Sequence, residues 1–274
     1  MTILGIDTGA TFTRIWDGEN SVTKTKTPAT YAQYLELLKK RITASQGVQH
    51  LVIALPAVIE GQRVTNVPNL GESWQRRDIK ADMTALCPSL ENVVVLQDTH
   101  AAAYGIRSHE QVRLPALVVT LSTGVGGALI ADGFVSPLEI GHIPLNLRNR
   151  NTPCVCGQIG CVEADISGTA IHKLLGKRAE EVDDRVFWKE YASYLGRCLS
   201  VLTLLFKLKQ IVLMGGLSNK SDYFLAETQA YLERNITYVP TPVIRVSKLG
   251  DHAGVYGAYE VGETIAKGAG ISLP

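Results

Sequence analysis

The stretch Ile3-Leu4-Gly5-Ile6-Asp7-Thr8-Gly9-Ala10-Thr11-Phe12-Thr13-Arg14-Ile15-Trp16 decides the fold. Its first residues form a short apolar strand that runs into a glycine turn after Asp7. Thr13-Arg14-Ile15-Trp16 then returns as a second strand, and Asp17-Gly18 is a hairpin turn signal. The plan restarts further on. Ala116-Leu117-Val118-Val119-Thr120-Leu121 reads as a strand, Ser122-Thr123-Gly124-Val125-Gly126-Gly127 as a tight turn, and Ala128-Leu129-Ile130-Ala131 as the returning strand. This echo predicts two α/β lobes with a common plan, residues 1–114 and 115–253, divided near Arg113 to Pro115. A last helix, from about Gly254 to Ala266 within a C-terminal segment 254–274, is expected to pack back on the first lobe.

Between the two turns, Tyr31 to Ile42 has helical periodicity, and His50 to Leu55 is a buried-type strand stopped by Pro56. Asn92-Val93-Val94-Val95-Leu96 is another strand, which delivers Gln97 and Asp98 to an alanine-rich helix over Thr99 to His109. Beyond the second turn come a cysteine-rich loop, a long helical region from Asp184 to Phe206 and the strand Gln210 to Met214, which ends in Gly215-Gly216. Strands alternating with helices give an α/β class.

Composition narrows the partners. The 274 residues are 46% hydrophobic and 19% charged, ample for a core, and the net charge is +1 with no basic block. Bulk charge therefore holds neither nucleic acid nor a membrane surface, and an anionic ligand must be held by local geometry. No apolar run approaches a membrane span of about 20 residues. The five cysteines are odd in number, with three crowded into one loop, which suits a reducing, cytoplasmic setting and a metal better than a disulfide framework.

Glycine at a strand end lets backbone amides approach a phosphate together. Thr8, Thr11, Ser122 and Thr123 add hydroxyls beside Gly9, Gly124 and Gly126, and Asp7 is placed to hold Mg²⁺. Either turn alone would pass for an ordinary hairpin. The duplication favours a nucleotide. Asp98, between an apolar strand and a helix, is the candidate base for a substrate hydroxyl, in a reaction where positioning matters more than base strength. Helix capping is the plainer role for the same residue.

His142, Cys154, Cys156 and Cys161 make a closed tetrahedral set for a structural Zn²⁺, with no ligand position left for catalysis. Cys87 and Cys198 read as core residues. Such a knot would fix the backbone beside Glu139 and Glu163, and carboxylates so fixed can grip the hydroxyls of a polyol.

At these residues the chain resembles the ROK family of sugar kinases and repressors. Asp7 to Thr11 and Ser122 to Gly127 look like its two phosphate loops. Glu139-Ile140-Gly141-His142, followed by Cys154-x-Cys156-Gly157-x-x-Gly160-Cys161-x-Glu163, is similar to its zinc and sugar signature. Gly215-Gly216-Leu217-Ser218 looks like its adenosine-side turn. The resemblance implies the two-lobed actin-like ATPase (ribonuclease H-like) fold, with ATP and sugar in an inter-lobe cleft. It also implies Asp98 as base, and sugar contacts from Asn69, Gln97, Glu139, His142 and Glu163, with His142 binding zinc as well. A homo-oligomer, commonly a dimer, is expected.

Gln97 and His100 stand where the family usually has asparagine, which bears on hexose identity. Pro56-Ala57-Val58, Gly9-Ala10-Thr11 and Gly141 to Leu145 look most like the allose kinase branch. The expectation is therefore an ATP:hexose 6-phosphotransferase, allose kinase-like, with glucokinase or N-acetylmannosamine kinase specificity as alternatives. Two further classes compete: a non-catalytic sugar sensor and a zinc-dependent interaction module. The family's repressors carry a helix-turn-helix ahead of the first strand, whereas this sequence starts at that strand, which argues against DNA binding.

Overall fold

The structure, a computed structural model, describes residues 2–45, 47–60, 62–67 and 70–269. Its first sheet forms from β1 (Thr2–Thr8), β2 (Phe12–Trp16), β3 (Thr23–Lys26), β4 (Val48–Leu55) and β7 (Asn92–Gln97), in the order β3-β2-β1-β4-β7. A separate small hairpin, β5 (Val58–Glu60) and β6 (Arg63–Asn66), lies in sequence between β4 and β7. The helices of this half are α1 (Tyr31–Ala44), α2 (Ile79–Leu86) and α3 (Asp98–His109). The second sheet has β8 (Ala116–Leu121), β9 (Val125–Ala131), β10 (Phe134–Leu138), β11 (Gln210–Met214) and β12 (Val243–Val246), in the order β10-β9-β8-β11-β12. Helices α4 (Val162–Ile166), α5 (Gly168–Leu175), α6 (Arg185–Phe206), α7 (Ser221–Asn235) and α8 (Ala253–Ala266) complete the chain.

The two sheets share one topology. In each, the leading strand pairs antiparallel with its successor and parallel with a later strand: β1 with β2 and β4, β8 with β9 and β11. Parallel strands are covered on both faces, which is why β4, β7, β8 and β11 read as near-continuous apolar runs. The backbone divides into two compact units. One holds the described residues up to 111, 134–137 and those from 251 onward; the other holds 112–133 and 138–250. This is the fold of the two-lobed actin-like ATPases.

In the first unit, α8 lies across β1 and α3. The α3–α8 crossing is so close that a Cβ on Gly257 would sit 1.7 Å from the carbonyl oxygen of Ala101, and one on Gly105 would sit 2.3 Å from that of Ala253. Only glycine at both positions permits this approach. In the second unit, Asp184 caps α6 by accepting hydrogen bonds from the backbone of Val186 and Phe187. The helix buries Trp188 and Tyr191 against Phe224 of α7.

Several elements were not visible in the sequence. β3 is only partly buried, β12 follows two prolines closely, and α7 buries just Phe224, Thr228 and Leu232. None of them shows a long periodic apolar face. Among the described residues, no helix is long and apolar enough to cross a membrane.

Candidate functional site

In the first unit, β1 and α3 bring two carboxylates together. Asp7 is the next-to-last residue of β1, between the buried Ile6 and Thr8, and its side chain is only 16% exposed. Burial, then the negative charge of Asp98, raise its pKa to about 7; Arg14 opposes this and Asp251 adds to it. Arg14 is shared: Nη1 lies 3.9 Å from Asp7 Oδ2, while Nη2 donates to Asp251. Gly254, in the first turn of α8, backs the acid so closely that a Cβ there would lie 2.7 Å from Asp7 Cγ.

Asp98 is the first residue of α3. Gln97 occupies the cap position without a side-chain capping bond, so the base candidate is not the helix cap. Its Oδ1 accepts from Thr99 N at 2.6 Å and from Thr99 Oγ1 at 3.3 Å. His100 is fully buried; its Nε2 meets the Val135 carbonyl at 3.1 Å, and burial lowers its pKa.

The first glycine turn differs from the expected phosphate cradle. Gly9 donates its own N–H to the Phe12 carbonyl at 2.9 Å, and its carbonyl accepts from Thr27 Oγ1 at 2.7 Å. Thr27 N bonds the Thr11 carbonyl at 3.0 Å. The Thr8 hydroxyl is fully buried and lies 2.8 Å from the Tyr34 hydroxyl. It faces the core, away from the exposed residues of the turn. Ala10 and Thr11 are the exposed residues of the turn. Asn69 lies outside the described residues.

In the second unit the turn is shorter than its sequence implied, because β9 already begins at Val125. Gly126 pairs with Thr120 inside the sheet, so it belongs to the strand. Gly124 is needed for a close approach. A Cβ there would lie 2.5 Å from Glu163 Oε2, the oxygen that accepts from Val125 N at 2.9 Å. Glu163, on α4, is thereby tied to the turn through one carboxylate oxygen. Gly141 packs against the same place, its notional Cβ 2.1 Å from the Val125 carbonyl. The exposed Glu139 and the half-buried His142 flank it.

Beside this turn lies a cavity of about 310 Å³, lined by Ser122, Thr123, Thr169, His172, Arg178 and Gly216 among others. The start of α5 is fastened to the turn: Gly168 N bonds the Ser122 carbonyl at 2.7 Å, and Thr169 Oγ1 bonds the Thr123 carbonyl at 2.8 Å. Gly215 adopts φ +89 at the end of β11, with the Leu121 carbonyl 2.4 Å from where a Cβ would be. Sequence reasoning missed Thr169, His172 and Arg178. The one available signal was Ser167-Gly168, a helix start five residues past Glu163, where the Ser167 hydroxyl caps Ala170 N.

The Cys and His side chains converge as their spacing suggested. One ligand atom from each of His142, Cys154, Cys156 and Cys161 lies within 4.8 Å of all the others. Cys154 Sγ is 3.6 Å from His142 Nδ1, and Cys156 Sγ is 3.6 Å from Cys161 Sγ. The edges of a zinc tetrahedron with ordinary Zn–S and Zn–N bonds are about 3.6–3.8 Å, so the donor set and its spacing fit that ion. Burial pushes the Cys161 thiol up to about 12, while a hydrogen bond from the Gln158 backbone draws Cys156 down to about 7.

The comparisons with known proteins agree with this fold. The ROK family profile matches residues 3–264, and the chain belongs to the ROK family. It is similar to the N-acetyl-D-glucosamine kinase of Pectobacterium carotovorum, 28% identical, with 93% of this chain and 96% of that protein covered. It is also similar to the N-acetylgalactosamine kinase AgaK of a Shewanella species, 28% identical over 80% of this chain and 79% of that protein. Among solved structures, the ROK glucokinase of Streptomyces griseus in complex with glucose and AMPPNP shares the fold, with a TM-score of 0.78 and 22% identity. The match covers 96% of this chain and all of that one.

Proposed function

We propose that this protein is an ATP-dependent sugar kinase that phosphorylates the 6-hydroxyl of a hexose. The observation that carries the reading is the Asp7–Asp98 pair: a buried acid at a strand end, raised partly by a second acid that opens a helix. Two such carboxylates side by side call for a cation or a proton. In a kinase they divide the work. Asp7 would hold the Mg²⁺ of the nucleotide, which would offset phosphate charge, and Asp98 accepts the proton of the substrate hydroxyl as its oxygen bonds the γ-phosphorus and the bond to ADP breaks. The proton moves late in such a loose transition state, so Asp98 has to be well placed rather than strongly basic.

The second unit supplies the nucleotide's surroundings. The cavity beside Thr123 and Gly216 suits the adenosine end, and the Ser122–Gly124 turn suits the phosphates. Glu139, His142 and the remaining oxygen of Glu163 are assigned to the sugar, together with Gln97 and Asn69. His142, Cys154, Cys156 and Cys161 would hold Zn²⁺, whose part is to brace this loop. We also assign the chain to a homodimer, for which sedimentation at micromolar concentration is the check.

The hexose is the open choice. Sequence motifs lean towards allose, whereas two of the similar proteins named above are kinases of N-acetylated amino sugars and the third is a glucokinase. A coupled ADP-release assay therefore has to span allose, glucose, mannose, N-acetylglucosamine, N-acetylgalactosamine and N-acetylmannosamine. One of these is expected to dominate in kcat/KM, and formation of no sugar phosphate from any of them sinks the kinase reading. Sugar binding by calorimetry without ADP production would establish the sensor class in its place. Removing zinc with a chelator is expected to lower Tm and raise the sugar KM; an unchanged Tm and KM would remove the ion from this account.

A further inference from the structure

The most unusual group outside the described sites is a buried arginine behind the metal loop. Arg148 lies in the chain between His142 and Cys154, and its side chain is only 6% exposed. Its backbone N donates to Asp165 Oδ2 at 3.2 Å, and its Nε donates to the Asp165 carbonyl at 2.9 Å. The guanidinium lies 4.6 Å from the ring centre of Tyr194 and 5.7 Å from that of Phe187, both on α6. Asp165 is 1% exposed and stands two residues beyond Glu163 on α4.

This arrangement is expensive. Arg148 Nη2, Asp165 Oδ1 and the Tyr191 hydroxyl are all buried without a hydrogen-bond partner. The guanidinium bonds the Asp165 carbonyl rather than its carboxylate, and its one ion-pair partner is the exposed Glu190 at 4.0 Å. Buried charged groups with unsatisfied atoms are generally less stable than apolar residues of similar volume. Stability is thus a poor reason for the pair to be there.

Geometry gives a better one. The loop around Arg148 is held in a strained form, with Asn146, Asn149 and Asn151 all at left-handed φ of 46, 54 and 50. Their side chains close the loop on itself: Asn146 Nδ2 donates to Asn151 Oδ1 at 3.0 Å, and Asn151 N donates to Asn146 Oδ1 at 3.1 Å. Asn146 N bonds the Gly160 carbonyl at 2.7 Å, and Gly160 N bonds the Thr152 carbonyl at 2.8 Å, so this loop rides directly on the cysteine loop. Within it, Arg148 is the long side chain that reaches the α4 and α6 core.

We infer that Arg148 is a positioning residue: paired with Asp165, it clamps the asparagine loop to α4, so that the metal loop and Glu163 hold one fixed relation. The sugar arm of this inference rests on the kinase reading; the metal arm does not. Groups one layer behind metal ligands commonly change metal affinity or activity about 10- to 100-fold when lost.

The test compares Arg148→Met with the charge-free double variant Arg148→Met/Asp165→Leu, both zinc-loaded. Zinc release to a chromogenic chelator is read beside Tm and the steady-state sugar constants. Arg148→Met removes the Nε bond to the Asp165 carbonyl and the contact with Glu190, leaves the buried Asp165 carboxylate with no guanidinium on its residue, and is expected to lose Tm. The double variant removes that charge and is expected to recover Tm at least to that of the original chain. It is nonetheless expected to release zinc about tenfold faster, with the sugar KM raised by a similar factor and kcat little changed.

A double variant with recovered Tm, unchanged release and unchanged KM would show the pair to be packing only and would overturn the inference. So would an original chain that takes up no zinc. Absence of turnover in the original chain would defeat the kinase reading while leaving the release comparison decisive.

Discussion

The two glycine turns, one in each unit, sit on the same topology and do different chemistry. The first closes on itself, spending the Gly9 amide on Phe12 and sending the Thr8 hydroxyl inward to Tyr34, and it carries its own acid in Asp7. The second has no acid. It borrows Glu163 from α4, through the bond to Val125 N, and opens onto a cavity shared with the start of α5. A repeated strand, turn and strand fixes where ligand-facing backbone emerges. What the turn can hold depends on the side chains that later segments bring to it.

The largest effect should come from the carboxylate that only the first unit has. Asp98→Asn keeps the shape and removes the proton acceptor, and kcat should fall about 10²–10⁴-fold with the fold intact. Full turnover in that variant would return Asp98 to a purely structural place at the start of α3. A smaller effect separates the turns themselves. Gly124→Ala drives a Cβ to 2.5 Å from the Glu163 carboxylate and must displace it, whereas Gly9→Ala meets nothing nearer than the Phe12 carbonyl at 3.4 Å. Displacing a group that orients substrate by about 1 Å costs on the order of 100-fold, so kcat/KM should drop by about that much for Gly124→Ala. It should change only a few-fold for Gly9→Ala. Equal losses would mean that the turns are functional twins after all.

How far the sequence could be read follows the same division. β1, β4, β7, β8 and β11 announced themselves because strands buried on both faces must be apolar throughout. α6 announced itself through its length and its Asp184 cap. The convergence of His142 with Cys154, Cys156 and Cys161 was legible because their spacing lies within one short segment. The partner of the Thr8 hydroxyl was not legible, because Tyr34 meets it from a segment 26 residues away. The cavity beside Thr123 was invisible, since Thr169, His172 and Arg178 gather there only through the fastening of α5 to the turn. The fold was written in local patterns. Most of the cavity beside Thr123 was written in contacts between distant segments.

The smallest predicted effect tests the acid that sets the first turn apart, and its sign is unusual. Asp7 has its folded pKa raised to about 7 from 3.8, so folding favours the protonated form. Its contribution to stability is fully present below about pH 4 and is lost as pH rises through about 7. Most acids paired with cations behave in the opposite way. In metal-free protein, Asp7→Asn should match the original chain below about pH 4 and have gained only part of its advantage at pH 5. By pH 8 it should be more stable by about 1–2 kcal/mol, less than the whole shift implies because the site relaxes and admits water. The check is chemical denaturation of both chains at these two pH values, without and with Mg²⁺ and ATP. A cation beside Asp7 favours its ionised form, so magnesium nucleotide should erase the advantage of Asn at pH 8 and reverse it. An advantage that is the same at pH 5 and pH 8 would show that Asp7 is already charged at the lower pH, and that no strain between it and Asp98 awaits a metal.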